Sequence, residues 1–337
     1  MSSKPAKTAP VEQLLDSALR PATWDDYVGQ ELIKKNLRIL LSAAKERGQS
    51  PEHLLFYGPP GLGKTTLAHL IGHELGRKVV STSGPAIEKV GDLASILTNL
   101  EVGEVLFIDE IHRLSKLIEE VLYPAMESGV LNIIIGKGPS ARTIELALPS
   151  FTLVAATTRI AMLSAPLRSR FSGGTFRLQY YSDDEIAKIL RRSGKLLGIS
   201  ATEEGIRTIS KRSRKTPRTA NFLLKRCRDF AQVKKRDIDE ALVEESLELL
   251  GVDTLGLTAA DRALLSIMIE KFGGGPVGVS TLAAALSEEE ATIEDVHEPY
   301  LMQLGLIERT SRGRRALPKA YEHLGKVVPA SLQQTLL

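Results

Sequence analysis

A second cysteine is missing from this chain of 337 residues. Cys227 stands alone, so an intrachain disulfide is excluded, and a reduced thiol in a packed core is its expected role. Long hydrophobic runs are missing as well. No stretch approaches a membrane span, and residues 1–10 are polar with no apolar segment behind them, which predicts a soluble, cytoplasmic protein with no membrane partner. Charge of one sign is not in excess: 44 Lys and Arg face 41 Asp and Glu, a formal net charge of +3. Nucleic-acid binding then has to come from local basic patches and not from a global field. There is no internal repeat and no low-complexity tract. His69 and His73 are spaced for one helix face, but no glutamate stands where a zinc protease needs it and no third ligand is near, so they read as surface or packing residues.

What is present begins with Gly58-Pro59-Pro60-Gly61-Leu62-Gly63-Lys64-Thr65, which fills the phosphate-loop pattern without a mismatch. It lies between a strand-like run, residues 53–57, and a helix-like run, residues 66–75. A loop of this kind ends on a helix N-terminus, where backbone N–H groups and the positive end of the helix dipole close around phosphate oxygens. The expected nucleotide grip is Gly61, Leu62, Gly63, Lys64, Thr65 and Thr66, with Lys64 on the β- and γ-phosphates of ATP and Thr65 on Mg²⁺. Residues 104–110, Glu-Val-Leu-Phe-Ile-Asp-Glu, add the metal side. Asp109 at the end of that strand is expected to ligate Mg²⁺, and Glu110 to polarise the attacking water. Two carboxylates argue for hydrolysis over passive binding, because the second has no metal-binding need.

The chain is long enough for two or three domains. Strand-like and helix-like stretches alternate to about residue 181, predicting an α/β domain with a parallel five-stranded sheet built from 53–58, 78–83, 104–109, 151–157 and 174–180. Residues 130–146 interrupt the alternation as strand, turn (Gly136 to Ser140) and strand, an inserted hairpin that offers Ile133, Ile135 and Ile144 to a partner. Ser182 with Glu185 three positions on opens a helix by a capping box, and everything to about residue 250 reads as helix. Residues 251–257 read as a Gly-containing linker, and Thr258 with Asp261 starts a new helix. Helical periods at 258–272, 280–286 and 292–303, a strand at 306–309 and the basic turn Ser311-Arg312-Gly313-Arg314-Arg315 describe a winged helix. Lys211, Arg212, Arg214 and Lys215 read as a charged helix end and loop near a subunit interface. The expected division is 1–180, 181–251 and 254–337.

These motifs, with Ala156-Thr157-Thr158-Arg159, the run Leu163 to Phe171 and Thr216-Pro217-Arg218, resemble the AAA+ ATPases and most closely the RuvB family of branch-migration motors, from about Leu19 to about Pro318. The resemblance implies a large P-loop domain, a small all-α lid and a C-terminal winged helix, working as a homo-hexamer on duplex DNA and four-way junctions. It implies a RuvA-like junction-binding partner at the hairpin and a possible RuvC-like resolvase. By matching positions it places Leu19, Arg20, Tyr27, Val28 and Tyr180 around the nucleotide, with Glu127, Ser128 and Gly129 near it. It makes Thr158 the first sensor, Arg170 a finger reaching a neighbouring subunit, Arg218 the second sensor, and Arg309 and Arg314 the DNA contacts. Two departures stand out: Ser128 where the family has an acid, and Ser172-Gly173-Gly174 where it has Gly-Ile-Val. They bear on the subunit contact and the entry to the last strand, not on a phosphate ligand. Other readings of the same features are a clamp-loader-like subunit, disfavoured by the winged helix and hairpin, and an ATP-switched DNA-binding regulator.

Overall fold

The computed structural model describes residues 18–135 and 142–333. The chain divides into two compact units that part between Tyr181 and Ser182. The first is built on five parallel strands in the order β2-β3-β6-β1-β7: β1 Leu54–Tyr57, β2 Val79–Ser83, β3 Val105–Asp109, β6 Thr152–Thr157 and β7 Gly174–Arg177. Every strand lies within its expected span. β6 is buried along its whole length and β1 and β3 nearly so, the pattern of parallel strands covered on both faces. Alternate side chains divide between the faces. Leu55, Leu106, Ile108, Leu153 and Ala155 pack with Leu93, Leu97, Ile118, Leu122 and Phe171 on one of them. Despite the two glycines at its entry, β7 pairs with β1 without a gap, from Gly174 opposite Leu54 to Arg177 opposite Tyr57.

The inserted hairpin is β4 Val130–Ile135 antiparallel to β5 Arg142–Ala147. Its expected turn, residues 136–140, lies outside the described residues, as does the side chain of Ile135. Leu131 is fully buried, while Ile133 and Leu146 pack against the sheet core; Ile144, opposite Ile133, is 42% exposed. A fully buried leucine contributes about 1.5–3 kcal/mol relative to an exposed one. The base of the hairpin therefore belongs to the core, and Ile133 is not the free partner contact expected of it; among the residues described, the apolar side chain open to a partner is Ile144.

The second unit begins with four helices, Asp183–Leu197, Glu203–Arg212, Pro217–Lys234 and Glu240–Leu249, each entered through a hydroxyl or carboxylate cap at Ser182, Thr202, Thr216 and Asp239. Ser182 and Glu185 form the expected capping box, and Thr258 with Asp261 forms the one that opens Ala259–Phe272. Residues 251–257 are no slack linker. Asp253 Oδ1 accepts the N–H groups of Leu255 and Leu257, its Oδ2 lies 2.8 Å from His323 Nε2, and Tyr300 Oη donates to the Leu255 carbonyl at 2.7 Å. Leu257 is fully buried in the core of the following domain. That domain adds Val279–Leu286, a helix over residues 290–303 with a π-helical turn at Ile293–His297, and the two-stranded wing β8 Ile307–Thr310 and β9 Gly313–Ala316. Among the described residues no helix is long and apolar enough to cross a membrane.

Candidate nucleotide site and wing

Three neighbouring strands, β3, β6 and β1, end side by side, and each delivers part of the site at its carboxyl end. Gly58 leaves β1 with its N–H on the Thr157 carbonyl, 3.3 Å away, and the loop then runs to the helix Lys64–Leu75. Gly63 takes φ 99°, and a Cβ there would lie 3.0 Å from Tyr27 Oη, so the position has neither the backbone region nor the room for a side chain. Lys64 is 7% exposed, and its ammonium donates to the carbonyls of Gly58 at 2.7 Å and Pro59 at 2.9 Å. Carbonyl oxygens thus hold the cation where phosphate oxygens are its natural partners. Glycine-lined amides at a helix start, a buried ammonium and a carboxylate on the next strand but one fit a nucleotide with a divalent cation.

Tyr27, expected near the base, is buried against the loop. Its phenol is pushed well above its ordinary range, by burial and then by Tyr181. Tyr181 Oη donates to the Leu62 carbonyl at 3.1 Å and lies 3.3 Å from Tyr27 Oη. Sequence reasoning singled out Tyr180 and missed Tyr181; the adjacent tyrosine pair was the available signal. Gln30 was missed as well. Its amide donates to the Gln179 carbonyl at 2.7 Å and accepts the Gln179 N–H at 3.1 Å, tying the segment that carries Tyr27 and Val28 to the end of β7. Leu19 is buried and Arg20 exposed. Arg20 also helps to lower the pKa of His69, after burial as the main cause. Among the described residues no cluster of three or more His, Cys, Asp or Glu side chains suits a metal.

Asp109 closes β3 and Glu110 follows in the left-handed region at φ 48°. The Glu110 carboxylate accepts the N–H of Thr158 at 3.3 Å and its hydroxyl at 3.0 Å, and lies 3.2 Å from His112 Nδ1. His112 Nδ1 is also 2.9 Å from Thr157 Oγ1. Burial alone would raise the carboxyl's pKa, but His112 and the two Thr158 donors together outweigh it and bring it to about 2. Glu110 is therefore ionised and weakly basic, suited to orienting a water by accepting its hydrogen bond. The sequence drew attention to Thr158 and Glu110 separately; the structure brings them into direct contact and adds His112. Gly84, after β2, supports the same turn, since a Cβ there would lie 2.4 Å from the Glu110 carbonyl oxygen.

Arg170 and Glu127 form a second cluster. Arg170 Nη2 is 2.9 Å from Glu127 Oε1, Nη1 donates to the Pro166 carbonyl at 2.6 Å, and the guanidinium sits 4.4 Å from the centre of the Tyr123 ring. Glu127 and Ser128 end the helix Lys116–Ser128, which Gly129 caps at φ 64°. Thr65 and Thr66 open the helix after the phosphate loop. Arg218, in the second unit, is exposed at the second position of its helix.

The wing differs from its sequence reading. Arg314 and Arg315 belong to strand β9 and not to a turn, leaving Ser311 and Arg312 to connect the strands. Arg309 and Arg314 face each other across the ladder, and both bond to Glu298, which is 1% exposed. Arg314 is itself buried, at 8%, while half of the Arg309 side chain is open. Two residues of the basic run before Arg218 are likewise internally engaged. Arg212 bonds to Glu244, and Arg214 bridges the buried Asp261 and the Val296 carbonyl while stacking over Tyr300.

Residues 19–178 match the family model described as the Holliday junction DNA helicase RuvB P-loop domain, residues 181–253 the RuvB AAA lid domain, and residues 254–325 the RuvB C-terminal winged helix domain. The Holliday junction branch migration complex subunit RuvB of Dehalococcoides mccartyi (strain CBDB1) is 58% identical over 311 residues, 92% of this chain and 89% of that one. Among solved structures, the Thermotoga maritima RuvB Holliday junction branch migration motor is similar with a TM-score of 0.85 at 46% identity, over 93% of this chain and 100% of that one. A threonine-to-valine variant of the same protein gives 0.84 at 46%, with the same coverage. With three domain models matched in order and more than half of the residues identical to a relative over nearly the whole length, this chain belongs to the RuvB family.

Proposed function

We propose that the chain is the ATP-hydrolysing motor that drives branch migration of Holliday junctions in recombination and repair. The observation that carries this reading is the convergence of Lys64, Asp109, Glu110 and Thr158 at the ends of three adjacent strands, with the glutamate bonded to the sensor threonine. ATP is held by the loop residues Gly61 to Thr66, with Leu19, Arg20, Tyr27, Val28 and Tyr180 around its base and sugar. Mg²⁺, held by Thr65 and Asp109, supplies charge neutralisation on the phosphates when bound. Lys64 exchanges its loop carbonyls for phosphate oxygens. Glu110 and Thr158 orient the water, and the first sensor keeps the carboxylate aimed.

Hydrolysis needs a second subunit. Arg170 reaches the neighbour's phosphates from beside Glu127, Ser128 and Gly129, Arg218 approaches its own subunit's phosphates from the lid, and six such subunits form a ring on duplex DNA. Arg309 and Arg314 of the wing meet the DNA backbone, and the outer half of the hairpin, at Ile144, meets a RuvA-like junction-binding partner in the cytoplasm. A RuvC-like resolvase is a further companion of the assembled complex. The names of the relatives, a branch migration subunit and a branch migration motor, support this assignment. The test is steady ATP turnover with and without four-way junction DNA, run beside a strand-exchange assay. Junction-stimulated turnover with strand exchange supports the motor; a single burst of hydrolysis that only releases DNA would make the protein a switch.

A further inference from the structure

The wing holds one more carboxylate than its buried arginine needs. Glu298 already satisfies Arg309 and Arg314 from within the fold, accepting from both guanidinium groups. Glu294, earlier on the same helix, adds a second carboxylate to the same pair. Its Oε1 lies 2.8 Å from Arg314 Nη2 and 3.8 Å from Arg309 Nη2, and its side chain is 34% exposed where that of Glu298 is 1%. Glu294 lies within the π-helical turn Ile293–His297 and Glu298 follows it directly; the last residue of the turn, His297, points inward with Nδ1 2.7 Å from the buried Asp261. Two carboxylates thus face the wing, one sealed in and one at the solvent edge. The other face of the wing has its own pair, Arg315 on Glu308, with Nε 2.7 Å from Oε1.

We propose that Glu294 is a built-in competitor for DNA phosphate: its carboxylate occupies the solvent-side edge of the Arg309–Arg314 pair, and a phosphodiester has to displace it to bind. The inference rests on the reading of those arginines as backbone contacts. A carboxylate and a phosphodiester each bring one negative charge and two acceptor oxygens, so guanidinium groups pass from one to the other with little change in charge pairing. The contact is weakened and made quickly reversible, which suits a protein that must release each phosphate in order to advance. Glu298 stays in place throughout and keeps Arg314 from becoming an unpaired buried charge.

The test is equilibrium binding of the full-length protein to duplex DNA, with a nonhydrolysable ATP analogue, at several salt concentrations. Glu294→Gln is expected to bind roughly twofold to fivefold tighter at low salt, the range that one exposed ion pair controls, and the gain should shrink as salt screens the site. Glu308→Gln makes the same change in net charge on the opposite face and should give less than half of that gain. In an Arg309→Ala background the effect of Glu294→Gln should largely vanish. Glu294→Ala, which removes the acceptor altogether, must act in the same direction. Parent-like affinity of folded Glu294→Gln, or an equal gain from Glu308→Gln, overturns the proposal while Arg309→Ala still weakens binding. If Arg309→Ala leaves affinity and salt dependence unchanged, the phosphate reading of the wing falls first and the competitor falls with it.

Discussion

The phosphate loop and the wing hold their cations in opposite ways. Lys64 donates to two backbone carbonyls at the start of its own loop, whereas Arg309 and Arg314 share carboxylates from a neighbouring helix. Hydrogen bonds to charged partners are roughly twice as strong as neutral ones. A phosphate that takes the place of those carbonyls exchanges a neutral acceptor for a charged one. At the wing one anion replaces another and the net gain is small. On the proposed reading, the nucleotide pole gains an anion and the wing exchanges one for another. A motor needs both, because it must hold ATP through a turnover and let go of DNA at every step.

Arg170 can break that comparison, since it belongs to the catalytic pole by its proposed role but is held by a carboxylate, Glu127, as the wing arginines are. Arg170→Ala is expected to lower steady ATPase by roughly 10³ to 10⁵, and Lys64→Ala to be inactive for want of its phosphate grip. Mixing the two dead proteins should restore part of the activity, because some interfaces then pair an intact Lys64 with an intact Arg170. A mixture that stays dead despite verified co-assembly would take the finger out of the neighbour's site. Next in size, Glu110→Gln should keep ATP binding and lose roughly 10²- to 10⁴-fold in turnover, measured by nucleotide titration beside steady-state kinetics. Parent-level turnover would remove Glu110 from the mechanism.

At the wing the expected effects are smaller, as exchange implies. Arg309→Ala should weaken DNA binding and flatten the dependence of log affinity on log salt by about 0.9 for one lost phosphate contact, read from a salt series. A loss of affinity with no change in slope would make Arg309 a structural partner of Glu298 alone. The smallest effect concerns acid. Glu110 is held at about 2 in the fold against 4.5 ordinarily, so its ionised form stabilises the protein fully above about pH 4.5, and that contribution is lost as pH falls toward 2. The melting temperatures of parent and Glu110→Gln should differ at neutral pH and converge over that window. A gap that persists unchanged to pH 2 would mean that the carboxylate's charge is not what His112 and Thr158 hold.

The parts legible in the sequence were those whose partners lie close along the chain. The phosphate loop, the acid pair at the end of β3 and the capping boxes at Ser182 and Thr258 each need only a few consecutive residues, and each formed as written. What stayed hidden depends on partners brought together by folding. Tyr181 meets Leu62, His112 meets Thr157, and Glu298 meets Arg314 across separations that no local pattern encodes. The wing shows the cost most plainly. A run of arginines and glycine reads as an exposed turn until the antiparallel ladder puts every second side chain inward, onto Glu298. Residues 251–257 are the linker the sequence suggested, since the lid and winged-helix domains meet at 253 and 254, but its internal bonds were not legible: Asp253 gathers two N–H groups and a histidine.

That pinned turn bears on how work is delivered. A joint that bends stores part of every stroke as its own deformation and returns it late or out of phase. Asp253 and the Tyr300 bond stiffen the turn from one side, and Arg214, reaching from the helical domain to Asp261 and the Val296 carbonyl, braces it from the other. The helices of residues 183–249 and the winged-helix domain are thereby joined by contacts on both sides of the turn, so in the proposed motor a rotation imposed at the end that carries Arg218 is passed to the wing with little of it spent in bending the joint.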